Sequence, residues 1–559
     1  MLVQSVMVFE EDSPIDNELI NLLSNNTTNE KKDLLIRSTG RFYTHELIGK
    51  HLVETIAIKA KLFMSKTSVR VIDPFCGDGR LVNWLLHSLY DINKDIVWHI
   101  ELWDLDPFAV KIARENVIRT SEQLGITVEV NSIVCDTLEY APDFFGRFDI
   151  CITNPPWETL KPDKRELTNL DRTSTEKYVN YLRDKDRILS NMYPISAPTK
   201  RFAGWGFNLA RCGTEVAIRL VSNSGLCGVV SPASLLADQT STPLRNWVFS
   251  KQIFDVSYFV AEARLFENVD QACITVTLSP EANDTLVAPK LTFFDREQNK
   301  SSLNISDDEW KNIGQSGYII PLQFGLDVIR LNHLWSGLKQ LSYYENTLEN
   351  GLWSGRELDE TRIDTYLISD GKHPFLKGRM VDRYKIIEPP TKCVDEQQKK
   401  VPMTTNFYRI VWRDVSRPTQ KRRLIATIIP PGYVTGNSLS VIYFRDNNIS
   451  RLKSLLAIMN SFVFEAQVRT NLATNHVSLG VVRNAYVPPL DNVEIVASLS
   501  ELVDRCFQND LLAYSLVEVE VAKIYGLTYS DFTKLLSLYT KLSENEKEIL
   551  LREARTKLN

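Results

Sequence analysis

Two strand–turn–helix units lie back to back between Val69 and Leu124, and they restrict the fold more than any other stretch. Val69-Arg-Val-Ile-Asp73 alternates and is β-branched, as a strand should be. Pro74-Phe75-Cys76-Gly77-Asp78-Gly79 interrupts it, and residues 80–89 then take up a helical pattern. A second strand over 96–103 closes on Asp104-Leu105-Asp106-Pro107 and leads into a helix over 108–124. Strands at 128–134 and 148–152 follow. Strands alternating with helices build an α/β domain with a parallel sheet, and ligands bind such sheets at the carboxyl ends of the strands.

The residues at those ends carry chemistry. Gly77 and Gly79 let backbone come close to a ligand. Many nucleotide folds have a glycine turn, but this one lacks the third glycine of a dinucleotide site and the Lys-Ser/Thr of a phosphate loop. Asp73, at the strand tip, suits a cationic amino-acid ligand better than a pyrophosphate. Asp104, at the second tip, is placed to accept ribose hydroxyls. Asp136, after the third, is placed to accept from an adenine amine. Each acid alone is more often a cap or turn residue; three in succession, followed by Asn154, are harder to dismiss.

The fourth strand runs into Ile152-Thr-Asn-Pro-Pro-Trp-Glu158. Pro155 and Pro156 forbid helix and ladder hydrogen bonds and hold an extended turn. Asn154 offers an amide oxygen, Pro155 a carbonyl and Trp157 a flat aromatic face. A planar ring bearing an amine can stack on that face and donate both N–H groups to the two oxygens. The bland alternative is a Pro-Pro turn with a core Trp. Upstream, Tyr43-Thr44-His45 precedes an apolar-periodic helix over 47–58, capped near Thr44, and a helix start has N–H groups to offer a carboxylate.

Composition narrows the class. The 559 residues leave room for two to four domains. Eight scattered cysteines with no Cys-x-x-Cys pair argue against structural zinc, so no metal is expected, and they fit a reducing cytoplasm. No apolar run approaches a membrane span, and the first residues do not form a signal peptide. The net charge of −5 requires any nucleic-acid contact to come from a local basic patch. Residues 377–423 supply one, with thirteen Lys or Arg against five Asp or Glu, interleaved with Tyr384, Phe407, Tyr408 and Trp412. Within it Lys377, Arg379, Arg409, Arg413, Arg417 and Arg422 are the expected DNA contacts.

The ordered set of Tyr43-Thr44, Asp73-Pro-Phe-Cys-Gly-Asp-Gly79, Asp104, Cys135-Asp136 and Asn154-Pro-Pro-Trp157 resembles the gamma-type DNA adenine N6-methyltransferases of restriction–modification systems. The resemblance covers about residues 40–280. His45 and Trp157 depart from it, since the family more often has Pro and Tyr or Phe there. It implies an α/β fold: a Rossmann-like S-adenosylmethionine-dependent methyltransferase domain, then a mixed α+β target-recognition domain and a C-terminal helical segment. The expected limits are an N-terminal arm at 1–37, the catalytic domain at 38–285, target recognition at 286–493 and the helical segment at 494–559.

The resemblance also implies the site. Tyr43, Thr44, Asp73, Pro74, Cys76, Gly77, Gly79, Asp104, Asp136 and Asn154 would hold S-adenosylmethionine. Asn154, Pro155, Pro156, Trp157 and Phe266 would face a flipped adenine. Double-stranded DNA would be the substrate. A cognate restriction endonuclease, encoded separately, would be the functional partner, and the enzyme would act as a monomer in the cytoplasm. A companion of a type IIS enzyme is the narrower expectation. Methylation of RNA or of a protein glutamine, and an inactive cofactor-binding recognition subunit, are the alternatives. The charged stretch 161–200 reads as a solvated insertion or as a lid.

Overall fold

The computed structural model describes residues 43–558 apart from 61–65, 91–95, 163–171, 200, 202–204, 239, 267–270, 283–286, 316, 323–324, 346–350, 418–419, 471 and 473–475. The expected arm at 1–37 lies outside the described residues. The chain divides into two compact units, Met1–Leu326 and Asp327–Asn559.

The first unit is organised by a nine-stranded sheet. Strands β1 (Ser68–Asp73), β2 (Val97–Asp104), β3 (Thr127–Val134), β4 (Phe148–Thr153) and β5 (Val221–Pro232) run parallel in the order β3-β2-β1-β4-β5. Helix α1 (Glu46–Ala60) precedes them and buries Ile48, Leu52, Val53 and Ile56. Helix α2 (Arg80–Leu89) starts from Gly79, whose φ of 77° is easy only for glycine. Helix α3 (Pro107–Leu124) has all its punctuation in the sequence. The Asp106 side chain accepts from the Phe108 N–H, Pro107 occupies the first turn, and Gly125 ends the helix at a φ of 65°.

Every residue of β4 is buried, so it occupies the middle of the sheet and delivers Asn154 at its carboxyl end. The pattern over 253–260 and 273–278 predicts a closing antiparallel hairpin. Strands β6 (Lys251–Phe259) and β7 (Cys273–Ala282) are that antiparallel pair, but they do not end the sheet: β7 lies between β5 and β6, with its first seven residues buried. The sheet then runs past residue 285 into β8 (Lys290–Phe294) and the largely exposed edge strand β9 (Lys300–Asn304).

Helices α4 (Thr137–Tyr140), α5 (Arg172–Met192), α6 (Leu209–Leu220), α7 (Thr242–Phe249) and α8 (Asp307–Gln315) complete this unit.

The second unit has a four-stranded antiparallel sheet, β10 (Leu352–Gly355), β11 (Arg409–Arg413), β12 (Ala426–Ile429) and β13 (Leu439–Phe444), in the order β10-β13-β11-β12. Around it lie α9 (Asp327–Ser336), α10 (Ile449–Met459), α11 (Phe462–Thr470), α12 (Val493–Phe507), α13 (Leu511–Ile524), α14 (Tyr529–Ser537) and α15 (Glu544–Lys557). One apolar core runs from Leu331 through Trp412, Leu455, Val503, Val517 and Phe532 to Leu558. The C-terminal helices therefore share a core with the sheet. Among the described residues no helix is long and apolar enough to cross a membrane.

Candidate functional site

The carboxyl ends of β1 to β4 are stitched together by their own polar atoms. The Asp73 carboxylate is almost fully buried and accepts from the Thr153 hydroxyl at 2.7 Å and the Phe75 N–H at 3.2 Å. This joins the tip of β1 to the residue before Asn154. Burial pushes the Asp73 carboxyl up to about 7; its two hydrogen bonds oppose the shift, and Asp104 and Asp78 reinforce it. The two charges that raise it most, Asp104 and Asp78, are both negative, so a cationic amino-acid group would be a favourable partner.

Asp104 Oδ2 accepts from the Gly77 N–H at 2.9 Å, and its Oδ1 accepts from the Asp106 N–H at 3.0 Å. The Cys76 N–H donates to the Trp103 carbonyl at 2.9 Å, so the glycine turn is pinned to β2. A Cβ on Gly79 would stand 3.0 Å from the Ala113 backbone, and Gly77 has a φ of 50°, so both positions favour glycine. The Cys76 thiol is buried, and burial holds it protonated well above its ordinary range. Thr137 donates its hydroxyl to the Pro74 carbonyl, and the Cys135 N–H donates to the Asp104 carbonyl at 3.0 Å. These bonds bring the Asp136 turn to the same edge.

The cap of α1 is not Thr44. The His45 imidazole Nδ1 accepts from the Leu47 N–H at 3.2 Å, and the His45 carbonyl takes the first helical bond. The residue that departs from the family pattern thus does the capping. Thr44, buried, instead accepts from Asn154 Nδ2 at 3.1 Å. Asn154 Oδ1 accepts from the Trp157 indole N–H at 3.0 Å. The amide is therefore oriented at both ends, and an amide oxygen has two lone pairs to offer. Trp157 meets Phe266 edge-on, with centroids 4.8 Å apart. Tyr43 is half exposed; the Arg80 guanidinium lies 4.5 Å from its ring centroid, pairs with Asp78 at 2.6 Å and donates to the Thr44 carbonyl at 3.1 Å.

Three residues that sequence reasoning passed over support this arrangement. Thr153 carries the bond to Asp73. Gly213, inside α6, lies so close to the catalytic-type loop that a Cβ there would come within 2.3 Å of Pro155. A glycine in the middle of an apolar helix was the available signal. The third is Lys185 on α5, which forms an ion pair with Asp136; nothing in its local sequence marked it. The loop itself is closed by a short neck. The Leu160 N–H donates to the Phe207 carbonyl at 2.9 Å and the Leu209 N–H to the Glu158 carbonyl at 2.8 Å. The charged insertion leaves and re-enters through this neck; residues 163–171 of it lie outside the described residues.

The basic stretch of the second unit divides sharply. Arg379 and Arg417 are exposed, although Arg379 lies 3.3 Å from Glu388. Lys377 is partly buried, 3.8 Å from Glu360. Arg413 donates to the Val381 carbonyl at 2.7 Å. Arg409 and Arg422 are corrections. Arg409 is fully buried against Glu357 and donates to the Tyr433 carbonyl at 2.6 Å. Arg422 is buried between Glu465 at 2.6 Å and Glu518 at 2.9 Å. Neither can reach a phosphate without leaving an unpaired charge in the interior. Trp412 and Tyr384 are core residues as well.

No family model matches the sequence, and no curated protein does. Solved structures do match. The type IIL restriction-modification enzyme MmeI, in complex with DNA, aligns over 93% of this chain and 80% of its own, with a TM-score of 0.51 at 11% identity. The likeness to that enzyme is one of fold, running through both units of this chain. The mixed second unit and helical C-terminus belong to the same likeness. The type IIG restriction endonuclease BpuSI aligns over 94% of this chain and 67% of its own, at 12% identity and a TM-score of 0.42. The DNA-bound type ISP enzyme LlaBIII aligns over 88% and 41%, at 13% and 0.44. At these identities the likeness is one of fold.

Proposed function

We propose that this methyltransferase-fold protein is a site-specific DNA adenine N6-methyltransferase of a restriction–modification system, with a cognate endonuclease as its functional partner. The observation that carries the reading is the Asn154 amide, oriented by Thr44 and Trp157 beside the buried Asp73 and the Asp104 and Asp136 turns. S-adenosylmethionine, when bound, supplies an electrophilic methyl group. Asp73 would offer the counter-charge for its ammonium, Asp104 would accept from its ribose hydroxyls and Asp136 from its adenine amine.

The target adenine has to leave the duplex, because N6 is out of reach inside the stack. Trp157, backed by Phe266, gives the flipped ring a stacking face. Asn154 Oδ1 and the Pro155 carbonyl would accept the two N6 hydrogens, which draws the nitrogen lone pair out of conjugation and makes N6 the nucleophile. Catalysis is then positioning plus local electrostatics. The exposed Arg379 and Arg417 are the favoured phosphate contacts of the second unit.

Single-molecule methylation sequencing of DNA from a methylase-free host expressing this chain tests the reading. One motif bearing N6-methyladenine is the expected result. Asn154→Ala should lower turnover by roughly 10²–10³-fold, the range for losing one preorganised polar group, with cofactor binding little changed. Unmodified DNA from a host making folded, cofactor-binding protein would move the substrate to RNA or a protein amide.

A further inference from the structure

The helix of the charged insertion is built onto the cofactor edge, and one of its side chains sits where the proposed cofactor's adenine would bind. Asp136 uses both carboxylate oxygens in the described structure. Oδ1 accepts from the Leu138 N–H at 3.0 Å, and Oδ2 holds the ammonium of Lys185. Both side chains of that ion pair are only 15% exposed. The same turn is held again just past the C-terminal end of α5, where the buried Tyr193 hydroxyl donates to the Leu138 carbonyl at 2.5 Å. Two anchors on one three-residue turn are more than a solvated helix passing by requires. The helix also belongs to an excursion whose neck begins next to Trp157.

We propose that Lys185 is a built-in competitor for the adenine subsite of the cofactor, a latch that holds α5 over the Asp136 turn until the adenine amine displaces it. The inference rests on the cofactor reading above. An ammonium is a stronger partner for a carboxylate than a neutral amine. Binding therefore exchanges an ion pair for a hydrogen bond from an uncharged donor, and affinity is lowered by the cost of opening the latch.

Calorimetric titration of the full chain with S-adenosylhomocysteine tests this in wild type, Lys185→Met, Lys185→Gln and Lys185→Arg. Removal of the ammonium should tighten binding by roughly two- to fivefold, the scale of one partly screened ion pair. The arginine variant, which keeps a competing cation, should stay near wild type. Two neutral variants guard against one of them failing to fold, and a thermal melt checks each. Unchanged or weaker binding in a folded neutral variant overturns the latch and leaves the cofactor reading intact. No binding by any of the four proteins overturns the cofactor reading, and the latch falls with it.

Discussion

At the scale of single residues, Asp73 shows what the site costs the fold. Its carboxyl is buried and pushed from its ordinary 3.8 up to about 7. Folding therefore disfavours its ionised form. The penalty is absent below the ordinary value, grows as pH rises from about 4 to 7, and is complete above that. At ~1.4 kcal/mol per pH unit across that window, it reaches on the order of 4 kcal/mol at pH 8. Asp73→Asn keeps an acceptor for Thr153 and removes the charge. It should melt above wild type at pH 8, match it near pH 4, and bind S-adenosylmethionine more weakly at both. Melting curves across pH measure this; parallel profiles for the two proteins would refute the assignment.

At the scale of elements, the loop after β4 owes its position to a helix that touches no ligand. Gly213 of α6 backs onto Pro155 and Phe75, and a Cβ there would stand 2.3 Å from Pro155 Cβ and 3.2 Å from the Phe75 ring. Alanine is the better helix former by ~1 kcal/mol, so Gly213→Ala gains helix propensity while it pushes the loop. Misplacement of a reacting group by about 1 Å can cost ~10²-fold in rate. The expected outcome is at least a tenfold loss of methylation, with the melting temperature moved by only a few degrees and cofactor affinity largely kept. Activity equal to wild type in a folded variant would mean that the loop is not held from this side.

At the scale of the whole molecule, the second unit is tied together by charges that the basic stretch hides. Arg422 bonds Glu465 of α11 and Glu518 of α13, and Arg383 shares Glu518 at 2.9 Å. Breaking such a buried set costs about 3–5 kcal/mol, because the partners are left charged and unpaired. Arg422→Ala should therefore lower the calorimetric transition of Asp327–Asn559 and leave that of the first unit in place. A combined Arg379→Ala and Arg417→Ala variant should melt like wild type and bind DNA more weakly, with a shallower salt dependence. An Arg422→Ala protein that melts normally and only loses DNA affinity would restore Arg422 to the surface.

The chain's own pattern determined most of the first unit. Alternation, glycine turns and caps are local, so the limits of β1 to β4 and of α2 and α3, with the residues at those strand ends, could be read to within one residue. The sequence also determined that Asp104, Asp136 and Asn154 follow three different strands; a parallel sheet then brings all three to one edge. Tertiary structure decided what depends on distant partners. β7 lies inside the sheet, hydrogen-bonded to β5 along one edge and to β6 along the other, a pairing between distant segments that no local pattern encodes. Asn154 is aimed by Thr44, 110 residues upstream. The surplus of positive charge at 377–423 proved to be partly interior, because Glu357, Glu465 and Glu518 lie outside that window. A count along the chain registers charge, and only the folded molecule shows which charges face one another.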